Sequence, residues 1–365
     1  MAVGESGLNI NSSIPTDCRS VSGEPSNATE DTGLHPRWLD LTRLTCGLKI
    51  HSFGRALFIM KAKTYCVLIC SLSPFLQMAD GEEVRENVAS RKELPAGAGI
   101  ASEFKADVGL QKHEGVIFAD GFESGDFAAW DEKDEEKKNV FTFPPPEAPE
   151  LGRHCLRVEA HLGKDTGGGV TKWFPSSGTL FVRFYTKFAP DCDYVHHFVT
   201  LRANKSLQGA EKWSGFGGAG IKPEGDDRFS TAIEPWGDWG RNTAPGRWNF
   251  YSYWHEMEVS RDGKYWGNSF AMKDSPLILK SKWICVEFML KHNTPGKRDG
   301  EQAYWIEGAL IGHWKGINWR KQEKLMANAL IVESYITDSW TKNPVNVVYF
   351  DNVVIATKYI GPAGK

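Results

Sequence analysis

Three segments of this 365-residue chain carry proton-transferring and charge-neutralising side chains two residues apart. Within 180–188 the apolar Val182, Phe184 and Phe188 alternate with Arg183, Tyr185 and Lys187. Within 194–202 Val195, Val199 and Leu201 are apolar, which leaves His196 and Arg202 on the other side with Tyr194, and within 249–255 Tyr251, Tyr253 and His255 fall together. Successive strand residues point to opposite faces, so each set shares one face of its strand. On the same count His197 belongs with the apolar set, as a hydrogen-bonded core histidine. If the polar faces line one concave sheet, they hold what β-elimination from a uronic acid polymer requires. A cation or amide donor neutralises the sugar carboxylate and acidifies the carbon-bound proton beside it; a Tyr or His takes that proton, and a Tyr protonates the departing oxygen. That chemistry requires no metal or other cofactor. Taken singly, the same residues also suit the wet side of an antiparallel sheet, and Tyr251 with Tyr253 suits a cross-strand packing ladder.

The elements that must position them are strands. Ile284, Val286, Phe288 and Leu290 alternate with Trp283, Glu287 and Lys291, and the Pro295-Gly296 and Asp299-Gly300 pairs turn the chain back into a second strand. The face with Trp283, Glu287 and Lys291 is expected to be a groove for a sugar polymer. Further strands are expected from Val116 to Phe118 and over 155–160, 178–188, 194–202, 229–233, 248–256, 302–311 and 346–356, separated by Gly- and Pro-bearing turns. With 14 Trp, 20 Phe and 37 Gly and few helix-spaced apolar runs, the chain reads as all-β. The expected architecture is a β-jelly-roll sandwich of the concanavalin A-like kind with a concave groove, its last strand beside its first. The sequences Trp236-Gly237-Asp238-Trp239-Gly240 and Tyr265-Trp266-Gly267 are expected to form sugar-stacking loops.

A formal net charge of −3 disfavours nonspecific nucleic-acid binding, and no apolar run is long enough for a membrane span in the mature protein. Residues 60–80 have the layout of a secretory signal peptide: Met60 and two lysines, an apolar stretch from Thr64, then small residues before an acidic run. The expectation is therefore an extension over 1–59, a leader over 60–80 that directs export to the periplasm or medium, a linker over 81–114, and one β domain over 115–365. Of the seven cysteines, only Cys155, Cys192 and Cys285 fall in that domain. Their spacing fits no zinc site, and one disulfide between two of them is open, with no pair selected.

The segment from Val116 to Pro362, with Gly121-Phe122-Glu123 near its start, Tyr251-Ser252-Tyr253 in a strand and Asp351-Asn352 in the closing strand, resembles jelly-roll polysaccharide lyases of the alginate and glucuronan lyase kind. In that family a lysine, a strand with Ser-x-Arg and a strand with Tyr-x-Tyr follow in chain order, the tyrosines acting as base and acid. The resemblance assigns these places to Lys205 after His196, to Ser230, and to Tyr251 and Tyr253. The arginine place holds Ala232, so neutralisation would fall to Arg202, Arg228 or Lys205. The catalytic set expected is Tyr251, Tyr253, His196, Lys205 and Arg202, with Arg183, Tyr185, Lys187, Ser230, His255 and Trp236 binding an acidic polysaccharide. The alternative is a noncatalytic, lectin-like module using the same groove. The paired carboxylates of a jelly-roll glucanase strand, a nucleophile elbow, a zincin motif and a phosphate loop are all missing from the sequence. Asp120, Glu123 and Asp351 could meet where the first and last strands pair and hold a structural calcium ion.

Overall fold

A computed structural model describes residues 94–133, 140–143 and 151–364. The expected extension, leader and first part of the linker lie outside the described residues. The rest is an all-β sandwich of two antiparallel sheets, as expected from composition and alternation.

One sheet runs in the order β13 (Ala309–Ile317), β12 (Gly300–Ile306), β11 (Ile284–Lys291), β6 (Thr179–Phe188), β15 (Val345–Ala356), β4 (Cys155–His161), β3 (Val140–Phe143), with β1 (Val116–Asp120) also on β15. The first and last strands thus pair, as the sequence implies. The other runs β10 (Asn268–Ala271), β9 (Arg247–Tyr253), β8 (Phe229–Trp236), β7 (His197–Asn204), β14 (Met326–Tyr335), β5 (Gly167–Trp173), β2 (Glu132–Lys133). Five strands, β2, β3, β5, β10 and β14, have no counterpart in the sequence reading. Strand β14 is centred on the short apolar run 329–332, whose periodicity cannot separate strand from buried helix, and β5 opens on three glycines. The single strand expected over 302–311 is a hairpin, turned at Glu307 and Gly308, both at positive φ as a two-residue turn demands.

Between the sheets lies one core. Val182, Phe184, Val286, Phe288 and Phe350 from the first sheet meet Val199, Leu201, Phe250, Leu330 and Val332 from the second. Ring contacts cross the gap between Phe184 and Phe198, Phe198 and Phe350, and Phe250 and Phe288. Each such ring contributes about 1.5–3 kcal/mol through burial. Polar links also span the interior: Thr231 Oγ1 donates to Gln302 Oε1 at 2.8 Å and lies 2.8 Å from Ser252 Oγ, and the Tyr304 hydroxyl donates to the Trp248 carbonyl at 3.2 Å.

The opposite face of the first sheet is also covered, by residues 94–113 and 357–364. Ala101, Leu110, Tyr359 and Ile360 pack there on Phe181, Met289 and Trp305, whose Nε1 donates to the Pro95 carbonyl. Three expectations are corrected by this cover. Residues 94–114 pack onto the domain rather than linking to it. The face with Glu287 is no groove, since Glu287 is buried and accepts the backbone N–H groups of Ile360 and Gly361 at 2.7 Å each. Arg183, Tyr185 and Lys187 lie on this same face: Arg183 is fully buried against Asp107 at 2.6 Å, Tyr185 accepts from the Ala363 N–H, and Lys187 lies buried between Trp283 and Tyr349. Alternation correctly placed the three together; it carries no information on which sheet a strand joins or what lies over it.

The three carboxylates expected at a calcium site each have hydrogen-bond partners within the protein. Asp120 accepts from Trp130 Nε1 and the Phe122 N–H, Glu123 from the N–H groups of Arg153 and His154, and Asp351 from the Asn352 N–H. Asp351 caps its own turn, Asp120 ties its turn to Trp130 and Glu123 reaches the loop at 153–154; no group of three or more His, Cys, Asp or Glu side chains suited to a metal ion occurs among the described residues. No disulfide joins the three buried cysteines of the domain.

Candidate active site

The outer face of the second sheet is where titratable side chains converge. In β9 the alternation sends Trp248 and Phe250 into the core and Asn249, Tyr251 and Tyr253 outward; in β8 Phe229 and Ile233 point in, and Ser230, Ala232 and Glu234 out. Register fixes their neighbours: Tyr253 faces Ser230, Tyr251 faces Ala232, and Asn249 faces Glu234. Across β8, Arg202 pairs with Ser230 and Thr200 with Ala232, while Ile331 and Tyr335 of β14 lie against Thr200 and His197. Arg202, Ser230, Tyr251, Tyr253 and Trp236 are therefore brought to one face, as expected for these five.

His197 joins them, contrary to its expected place in the core. The ladder between β7 and β14 shifts register between Val332 and Tyr335, and Phe198 and Val199 both enter the core. A one-residue slip reverses the side a residue faces. His197 Nδ1 consequently lies 3.7 Å from Glu234 Oε2, and its ring stands 6.2 Å from that of Tyr251 and 5.8 Å from that of Tyr335. The His196 ring lies beside it at a centroid distance of 4.3 Å, tilted by 39°. The hydroxyls of Tyr251 and Tyr253 are 3.4 Å apart.

Burial sets the proton affinities of this cluster. Removal from water pushes the Glu234 carboxyl up to about 8, with His196 opposing. It lowers the His196 imidazole to about 4 and also depresses His197, where Glu333 opposes and Arg202 adds to the effect. Both phenols are raised, again chiefly by burial. At neutral pH the face therefore offers a neutral imidazole, a protonated carboxyl and two protonated phenols. Asn249 is buried, yet neither atom of its amide has a hydrogen-bond partner, and Glu234 Oε2 also lacks one. Buried polar groups are ordinarily paired, so an amide and a carboxyl side by side without partners form a prepared socket for a ligand with both acceptor and donor capacity.

Two expected members stand apart. Lys205 is exposed beyond the end of β7, in a shallow cleft with Glu211, Asp226 and Lys324. His255 follows Tyr253, but β9 ends there; its buried ring sits under Gly225 beside a cleft of about 420 Å³ lined by Lys222 and Lys321. Parity holds only as long as the strand does. Glu234 and Asn249 were not singled out from sequence. Asn249 shares the parity of Tyr251, so the signal was there; Glu234 lay one residue past the expected strand end.

No protein-family model and no curated protein matches the sequence. Among solved structures, the chain is similar to the alginate lyase vAL-1 from Chlorella virus, at 15% identity over 59% of this chain and 88% of that one, with a TM-score of 0.45. It is similar to the PL-14 alginate lyase from Aplysia kurodai at 14% identity over 72% and 97%, with a TM-score of 0.46. A third is the endo-beta-1,4-glucuronan lyase from the fungus Trichoderma reesei, at 14% identity over 66% and 95%, with a TM-score of 0.43.

Proposed function

We propose that the outer face of the second sheet is a groove that binds an acidic polysaccharide and cleaves it by β-elimination. The observation that carries this reading is the juxtaposition of His197, Glu234, Asn249 and Tyr251 on adjacent strands, with the protonation states that burial imposes. The Asn249 amide and the protonated Glu234 carboxyl donate to the uronate carboxylate, drawing charge from the adjacent C–H bond. Neutral His197 takes that proton. The C–H electron pair forms the carbon–carbon double bond as the glycosidic C–O bond breaks, and the Tyr251 hydroxyl, held by Tyr253, protonates the leaving oxygen. The proton returns from imidazolium to tyrosinate through solvent. Arg202, beside Ser230 at the Tyr253 end, meets the carboxylate of a neighbouring sugar. The two phenols stay protonated and act as acids, which leaves an imidazole as base, and His197 is the one set against Tyr251 and Glu234.

The test is turnover of alginate, glucuronan and related polyuronides, followed by the ultraviolet absorbance of the unsaturated product. Tyr251→Phe is expected to lower kcat by about 10²–10⁴ with affinity retained, the usual contribution of a positioned proton donor. Unchanged kcat removes Tyr251 from the mechanism. One observation favours a binding-only module instead: Ala232, facing Tyr251, stands where the resembled lyases carry their carboxylate-neutralising arginine. Binding without absorbance change would select that reading.

A further inference from the structure

We propose that Trp239 and Trp340 form an accessory sugar-stacking platform at the rim of the groove, an inference that rests on the carbohydrate reading of the adjacent sheet face. The two side chains are 71% and 42% exposed, among the most exposed large apolar groups described, and their rings touch at a centroid distance of 5.1 Å and an interplanar angle of 62°. They come from different loops: Trp239 from the connection between β8 and β9, Trp340 from that between β14 and β15.

The backbone holds Trp239 outward. Asp238 and Trp239 are consecutive non-glycine residues at positive φ, 46° and 55°, in a turn closed by hydrogen bonds from the N–H groups of Gly240 and Asn242 to Gly237 and from Arg241 to Asp238. Such conformations persist where the surroundings over-determine them, and they collect at binding sites. The surroundings here are one residue, Tyr194. Its hydroxyl donates to the Asn242 carbonyl at 2.7 Å, its carbonyl accepts from Thr341 Oγ1 at 2.7 Å, and its ring packs so closely on Gly237 that a Cβ there would lie 2.4 Å from it. Tyr194 thus ties both loops together two residues before His196. The platform is fixed relative to the polar cluster, at the end of the sheet where Trp236 and Tyr335 close their strands.

A pyranose ring presents a C–H face that fits an indole face, while its hydroxyls and carboxylate remain in water. A polysaccharide strand leaving the Asn249–Glu234 socket on this side reaches the platform with its distal sugars. Two tryptophans are far too small an area for a stable protein interface, so a second copy of the chain is the poorer occupant.

The experiment measures calorimetric affinity of the full chain for short and long oligouronides, with Tyr251→Phe as a background that prevents turnover, and adds Trp239→Ala, Trp340→Ala and Trp239→Phe. The platform requires the two alanine variants to lose about tenfold in affinity for long oligomers, to bind dimers and trimers unchanged, and to be rescued by Phe at 239. Equal affinities at every length overturn it, as does a wild-type dimer in sedimentation that either alanine variant dissolves. If the wild-type protein binds no polyuronide, the proposed function fails first. The platform is then decided with neutral β-linked gluco-oligosaccharides: heat released with wild type and lost in Trp239→Ala sustains it, and no heat with either overturns it.

Discussion

At the scale of single residues, the site turns on one carboxyl kept neutral. Glu234 binds its proton more tightly in the folded chain than in the unfolded one, so the stability it contributes is complete below the ordinary carboxylate range and is lost as pH rises through about 8. In the proposed mechanism the same ionisation removes a donor to the uronate carboxylate and sets a negative charge against it. Turnover is therefore expected to fall on the alkaline side near pH 8, and on the acid side only below the usual histidine range, because His197 is depressed. In Glu234→Gln the alkaline limb of kcat/KM should disappear, and the melting temperature should gain on wild type progressively as pH rises. An alkaline limb that persists in Glu234→Gln would assign it to another group. Asn249→Ala should raise KM and lower kcat together, since the amide acts on both the bound and the reacting carboxylate.

At the scale of elements, β9 serves core and site at once, its two faces doing separate work. Phe250 touches Phe288, Tyr304 and Trp314 inside the sandwich, while Tyr251 faces out. Phe250→Ala should cost about 3–5 kcal/mol in urea unfolding, through lost transfer energy and the cavity left behind. Its neighbour Tyr251→Phe should cost far less, and comparable losses would mean that the two faces are not separate. The alternation of β9 was legible in the sequence, and with it the pairing of Tyr251 and Tyr253. The placement of His197 was not, because the register shift in β7 answers to its partner strand β14, which a continuous apolar run does not announce.

At the scale of the molecule, the two sheets divide labour. The first is sealed on its far face by residues 94–113 and 357–364, pinned by the buried Arg183–Asp107 pair. Removing one partner of such a pair leaves an uncompensated charge, so Asp107→Ala should destabilise the fold by about 3–5 kcal/mol in denaturant titration. Polyuronide affinity of the folded fraction should not change, because Arg183 lies on the sheet opposite the proposed groove; a matching loss of affinity would contradict that division. For the residues ahead of the domain, we propose export by the leader at 60–80. Mass spectrometry of the native protein should then find an amino terminus between Ala79 and Glu82, and an intact Met1 would refute it.

Local periodicity determined the all-β class, most strand positions and, where a strand keeps its register, which side chains share its face, because side-chain direction alternates whatever the strand is packed against. Tertiary structure alone decided that Arg183, Tyr185, Lys187 and Glu287 lie sealed on one sheet while Arg202, Ser230, Tyr251 and Tyr253 meet His197, Glu234 and Asn249 on the other. Sheet membership, register slips and the segments that cover a face are set by contacts between residues remote in sequence, and a two-residue repeat holds no record of them.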